Sequence, residues 1–165
     1  VSVVTVVGNP KPRSRTFEAA SLVAERLTGK PPNTEIDLAD LGAGLLDWSS
    51  AEVAAAADVV RAADLVVFAS PTYKATYTGL IKLFLERFGA GELAGVTGVP
   101  VMLGGSWKHS LAPDLLFKPV LVEIGVTCPT AGLYLLDSTF REPDALDGWL
   151  RLAAPAVQAT SGRLR

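Results

Sequence analysis

Residues 64–86 read DLVVFASPTYKATYTGLIKLFLE, and this stretch decides the fold. Its opening run of Leu65, Val66, Val67, Phe68 and Ala69 is short and apolar without alternation, the pattern of a strand covered on both faces in a parallel sheet. Ser70-Pro71 should stop that ladder. Proline has no amide hydrogen and restricts the residue before it, so the chain is expected to leave the sheet there, at the strand's carboxyl end. A loop with Tyr73, Lys74, Thr76 and Tyr77 follows. Thr78 is then a helix N-cap, Leu80, Ile81, Phe84, Leu85 and Phe88 recur at helical spacing, and Gly89 offers a left-handed stop. Open α/β sheets bind ligands beyond the carboxyl ends of their strands, where this loop lies.

On the amino-terminal side, residues 1–7 are almost wholly β-branched and read as a second buried strand that ends at Gly8. The next loop carries Lys11, Arg13 and Arg15 within five residues. Thr16 is expected to cap a helix with Phe17, Ala20, Val23, Ala24 and Leu27 on one face and Gly29 as its stop. Residues 34–38 make a strand and 39–48 a loop, and Ser49 with Glu52 forms a capping box for an alanine-rich helix to about residue 63.

On the carboxyl side, residues 99–103 form a fourth apolar strand. Gly104-Gly105-Ser106 follows, where backbone can approach a flat ligand with no side chain between. A helix runs from about Leu111 to Ile124, irregular at Pro119, and Gly125 ends it. Residues 131–136 give the fifth strand, Pro143 starts a last helix that Pro155 bends or terminates, and residues 161–165 form a frayed tail.

Five strands alternating with five helices require crossover connections, hence a parallel sheet built of right-handed units. The predicted architecture is a three-layer α/β sandwich in one domain over residues 1–160, with helices on both faces and strand order 2-1-3-4-5. That order sets the first and third strands side by side at the topological switch point, where the basic loop and the aromatic loop meet in one crevice.

Size and composition bound the function. The 165 residues suffice for one core, and 49% hydrophobic with 19% charged residues describe a packed globular chain. A net charge of -2 argues against a nucleic-acid partner. With Cys128 as the single cysteine, no internal disulfide and no thiolate metal cluster can form, which fits a reducing cytoplasm. No apolar run approaches the ~20 residues of a membrane-spanning helix, and the strand-like start at Val1 is not a charged signal region. No HExxH, CxxC or GxSxG motif is present, so metal-assisted and serine hydrolysis are not expected.

Ser14, Arg15 and Thr16 stand at a helix start, where free amides and hydroxyls suit an anion such as phosphate. A capped helix after a solvated basic loop reads the same way. The loop is neither a Walker nor a Rossmann motif, because GK[ST] and the glycines of GxGxxG are absent.

The segment SPTYKATYTGLIKLFLE resembles the SPxYxxxYTGxLKxFLD segment of the NADPH-dependent FMN reductases, a flavodoxin-like family that includes reductase partners of two-component flavin monooxygenases. GNPKPRSRT is similar to that family's phosphate loop, and GGSWKHSLAPDLLFKPVL to its GGSxxH segment and KPVL helix. The resemblance implies an FMN-binding enzyme that takes hydride from NADPH. It assigns Gly8, Arg13, Ser14, Arg15 and Thr16 to the phosphate loop, and Pro71, Thr72, Tyr73 and Lys74 to the border of the isoalloxazine ring. Gly104, Gly105 and Ser106 become the second ring-binding segment. His109, the single histidine, orients that loop or touches the flavin, since hydride transfer is cofactor chemistry and no protein acid or base is assigned. Lys11 and Arg13 are candidates for attracting the extra phosphate of NADPH.

A homodimer or homotetramer is expected, with Tyr77 near a subunit contact, and a flavin-dependent monooxygenase is the expected partner. Leu115 and Leu116 stand where some sulfonate-linked members carry an aromatic residue, so sulfonate metabolism is not implied. Two alternatives stay open: a resident-FMN reductase of quinones, azo compounds or metal oxyanions, and a flavodoxin-type electron carrier.

Overall fold

A computed structural model describes residues 1–161, and residues 162–165 of the expected tail lie outside them. Strands β1 (Val3–Val7), β2 (Thr34–Asp37), β3 (Leu65–Pro71), β4 (Thr97–Gly104) and β5 (Leu133–Leu136) form one parallel sheet. Its order is β2-β1-β3-β4-β5, the expected flavodoxin-like order. Side chains divide between two cores with the period of two that a strand imposes. Val3 and Val7 of β1, with Leu65, Val67 and Ala69 of β3, pack under helices α1 (Arg15–Thr28) and α6 (Asp147–Thr160). Val4, Val6, Val66 and Phe68 pack on the other face, under α3 (Ala51–Arg61), α4 (Gly79–Leu85) and α5 (Lys118–Glu123).

Several element ends differ from the sequence reading, each for a local reason. Ser14, not Thr16, caps α1, its Oγ accepting from the Phe17 amide at 3.3 Å. Ser50, not Ser49, caps α3, because the Asp47 carboxylate takes both the amide and the hydroxyl of Ser49, at 2.9 and 2.7 Å. β3 continues through Pro71. The Ala69 carbonyl accepts from Gly8 on the β1 side, and the Thr72 amide donates to Leu103 on the β4 side. Alternate residues face opposite neighbours, so Pro71 faces the side of β1 just beyond that strand's end, and no ladder bond is lost.

Thr78 caps α4 as expected, but Gly89 is no left-handed stop; α4 ends at Leu85, and the Gly89 amide donates to Glu92 Oε2 at 2.6 Å. A short helix α2 (Leu38–Leu41) and a 3-10 turn (Gly42–Leu46) occupy the expected loop after β2. The irregularity expected at Pro119 is a π-helical turn, Pro113–Phe117, just before α5. That wide turn precedes the residue that cannot donate back to Leu115 in α-helical register. Pro155 lies inside α6 without ending it, and α6 starts at Asp147 rather than near Pro143.

Candidate functional site

The loop from Gly8 to Ser14 climbs from the end of β1 to the start of α1, held from both sides. Gly8 is buried against α4, where a β-carbon would collide with Ile81, and its carbonyl accepts from the Thr78 hydroxyl at 2.6 Å. Arg13 adopts φ 51°, left-handed backbone that side-chain-bearing residues rarely take. Its amide donates to Asp37 Oδ2 at 2.8 Å, while its guanidinium reaches Asp37 at 2.9 Å and Asp40 at 2.8 Å. Those carboxylates, Asp40 first, raise the Arg13 pKa further above its ordinary value.

The hydroxyls at the helix start are oriented as donors. Asn9 Oδ1 accepts the Lys11 amide at 2.9 Å, which turns Asn9 Nδ2 toward Thr16 Oγ1 at 3.0 Å. The oxygen of Thr16 therefore accepts within the protein, as that of Ser14 does from Phe17, and each hydroxyl keeps its hydrogen. The amides of Arg15 and Thr16, in the first turn of a 14-residue helix, lack intrahelical acceptors. Two hydroxyl hydrogens, first-turn amides and a helix dipole make a donor set for an anion.

Across the crevice, β3 gives way to a tight hairpin. Tyr73 and Thr76 exchange backbone bonds of 2.9 and 3.2 Å around Lys74 and Ala75, at φ 51° and 70°. Tyr73 is left half exposed. The Thr72 hydroxyl beneath it is buried without a hydrogen-bond partner among the described residues. Beside it β4 ends at Gly104 and Gly105 follows; a β-carbon on Gly105 would meet no atom within 4 Å. The Tyr134 hydroxyl donates to the Ser106 carbonyl at 2.9 Å and fixes the backbone there.

These walls enclose a cleft of about 380 Å³. Of the residues singled out in the sequence, Lys11, Arg13, Ser14, Arg15, Thr16, Pro71, Thr72, Tyr73, Gly104 and Gly105 line it; Gly8, Lys74, Ser106 and His109 do not. His109 is exposed on a 3-10 turn, Trp107–His109, and borders a separate hollow with Leu111, Leu115 and Leu116. Tyr77 is half-buried, its ring 5.4 Å from that of Phe117.

Sequence reasoning missed Glu18, Asp137 and Arg141, which also line the cleft. Arg141 grips Glu18 with two bonds of 2.6 Å, and Arg15 lies 3.4 Å from Asp137. The hydrogen bond from Arg141 holds the Glu18 carboxyl below the usual carboxylate range. Asp137 directly follows β5, and its position past a parallel strand's carboxyl end was a usable signal. Arg141 carried none.

A family model for NADPH-dependent FMN reductases matches residues 1–140. The chain belongs to that family. It is 30% identical over 142 residues to the NADH-dependent FMN reductase SfnF of Pseudomonas putida, covering 81% of this chain and 76% of that one. Against the FMN reductase (NADPH) of Pseudomonas aeruginosa it is 30% identical over 166 residues, covering 92% and 88%. The apo form of the NADH:FMN oxidoreductase EMOB superposes with a TM-score of 0.88 at 30% identity, covering 99% of this chain and 91% of that one.

The chain is thus an enzyme, a flavin oxidoreductase whose family works with FMN and NADPH. Its cleft suits such a flavin: a donor set at one end, and at the other an orphaned Thr72 hydroxyl beside the side-chain-free backbone of Gly104 and Gly105. No helix among the described residues is long and apolar enough to cross a membrane.

Proposed function

We propose that the enzyme binds FMN across this cleft, reduces it with NADPH and releases the reduced flavin to a monooxygenase. The observation that carries the reading is a convergence: the start of α1, the end of β3 and the glycine edge of β4 open into one cleft. When bound, FMN supplies the hydride-accepting chemistry. The protein's part is to bind and orient. Ser14, Arg15 and Thr16 hold the phosphate through first-turn amides, hydroxyl hydrogens and the cleft-lining Arg15 guanidinium. Pro71, Thr72 and Tyr73 border one side of the ring, and Gly104 and Gly105 bring backbone against its polar edge. Gly8, Lys74 and Ser106 act by shaping those loops, and His109 by orienting the segment after β4.

The preference for NADPH rests on Lys11. Arg13, Arg15 and Arg141 are each paired with carboxylates, whereas Lys11 is exposed and its side chain has no hydrogen bond or ion pair among the described residues. Among the cations lining the cleft it is the one available to the extra phosphate of the nicotinamide. An exposed contact of this kind weakens with salt, so the preference over NADH shrinks as ionic strength rises.

The exposed Leu111, Leu115, Leu116 and Val122 support assembly as a homodimer or homotetramer, with Tyr77 close to the contact. Sedimentation at micromolar concentration tests that. The lone cysteine and the use of NADPH support a cytoplasmic enzyme, one flavin-binding domain spanning residues 1–160. The site itself is tested by Ser14→Ala and Arg15→Ala. Each lost charge-assisted contact weakens FMN by about 1.5 to 3 kcal/mol, less for the half-exposed Arg15, and barely changes riboflavin. Equal losses for both flavins would place the phosphate elsewhere.

A further inference from the structure

Among the described residues Asp37 is the only buried Asp, Glu, Lys, Arg or His, and its side chain is wholly enclosed. It ends β2, on the far side of β1 from the ring-binding strands, and it is not part of the cleft lining. Buried carboxylates are kept only where donors offset their desolvation. Here Oδ2 accepts from the Arg13 amide at 2.8 Å and the Arg13 guanidinium at 2.9 Å, and Oδ1 accepts from the Ala39 amide at 3.3 Å. Two of these three bonds hold one residue, and that residue has left-handed backbone without being glycine.

Arg13 immediately precedes Ser14, the cap of α1. Its torsions set the direction in which the chain enters the helix, and hence where the Ser14 hydroxyl and the first-turn amides point. We propose that Asp37 is a positioning residue for flavin binding: by clamping Arg13 it aims the donors of Ser14, Arg15 and Thr16 into the cleft and so sets affinity for the flavin's phosphate. This rests on the placement of phosphate proposed above. Capping α2 does not account for a buried anion, since that helix has only four residues and a neutral asparagine could accept from Ala39 as well. Asparagine would hold Arg13 less well, because charge-assisted bonds are roughly twice as strong as neutral ones. Arg13 then acts on the ligand through its backbone, its guanidinium being given to Asp37 and Asp40.

The test is titration of the purified full chain with FMN and with riboflavin, in wild type, Asp37→Asn, Arg13→Gly and the double variant. Asp37→Asn is expected to raise the FMN dissociation constant about tenfold with riboflavin unchanged, the scale of one charge-assisted contact. Glycine takes positive φ freely, so Arg13→Gly should bind FMN within about threefold of wild type. The double variant should regain the affinity of Arg13→Gly. A purely structural role for Asp37 would not be rescued this way. If Asp37→Asn fails to fold, Arg13→Gly is compared with Arg13→Val at this exposed position. Both lack the guanidinium, but a β-branched residue resists left-handed torsions, so valine should bind FMN about tenfold more weakly than glycine.

FMN affinity unchanged or tightened in Asp37→Asn, no rescue in the double variant, or equal affinities for valine and glycine would each overturn the inference. Wild type that binds FMN and riboflavin equally would overturn the phosphate placement as well. Discrimination in wild type that survives intact in Asp37→Asn overturns only the role of Asp37.

Discussion

Gly104 lies against the hydroxyl end of Tyr134: a β-carbon on residue 104 would come within 2.9 Å of the ring's Cζ and closer still to its hydroxyl. The tyrosine cannot simply swing aside, because that hydroxyl is bonded to the Ser106 carbonyl. Gly104→Ala is therefore expected to destabilise the fold by about 1 to 3 kcal/mol through overpacking, and to weaken flavin binding as the loop after β4 shifts. Gly105→Ala is the contrasting case. Its new methyl meets no protein atom within 4 Å, so stability should hold while flavin affinity falls. Urea unfolding and flavin titration of the two variants check both halves; normal flavin affinity in a folded Gly105→Ala would remove that residue from the ring site.

The hairpin after β3 is strained at two positions. Lys74 and Ala75 both take the positive torsions of a two-residue turn that favours Asn-Gly. Replacing the pair with Asn-Gly should stabilise the protein by about 1 kcal/mol, seen as a higher urea midpoint at constant slope. An unchanged midpoint would mean that contacts of Tyr73 and Thr76, rather than the turn backbone, set the loop's energy.

Cys128 is half-buried, and that burial pushes its thiol pKa up to about 11. The folded protein should consume a thiol reagent slowly at pH 8, and the urea-unfolded chain much faster, since a free cysteine titrates near about 8.5. Because the folded pKa is the raised one, the associated stability is complete below the unfolded pKa and is lost as pH rises toward about 11. Equal rates for folded and unfolded protein at pH 8 would contradict the burial.

Much of this was legible in the residues. Parallel strands announce themselves as unbroken apolar runs, so Val66 to Ala69 and their counterparts in β1 and β4 gave the sheet, while its order followed from the flavodoxin-like resemblance. Local caps such as Thr78 and Gly29 could be placed because capping is decided within one turn. Where two hydroxyls competed, sequence could not choose. Ser14 rather than Thr16 caps α1 because Asn9 engages Thr16 from a distance of seven residues, and Asp37 holds Arg13 from twenty-four. The Arg141–Glu18 pair spans 123 residues, a proximity that only the folded sheet creates. His109 drew attention as the lone histidine, yet the turn after β4 carries it away from the cleft.

The most direct measurement mixes the anaerobic protein–FMN complex with NADPH in a stopped-flow spectrometer, then filters the mixture to ask where the reduced flavin resides. The cleft geometry predicts bleaching of bound FMN at least as fast as steady-state turnover, reduced flavin in the filtrate, and loss of the bound FMN when Ser14 and Arg15 are both replaced by alanine. FMN that stays oxidised on the turnover timescale would contradict the reductase reading and leave an electron carrier. Fast bleaching with all of the flavin retained on the protein would contradict release and point to a resident-FMN enzyme acting on a quinone or similar acceptor.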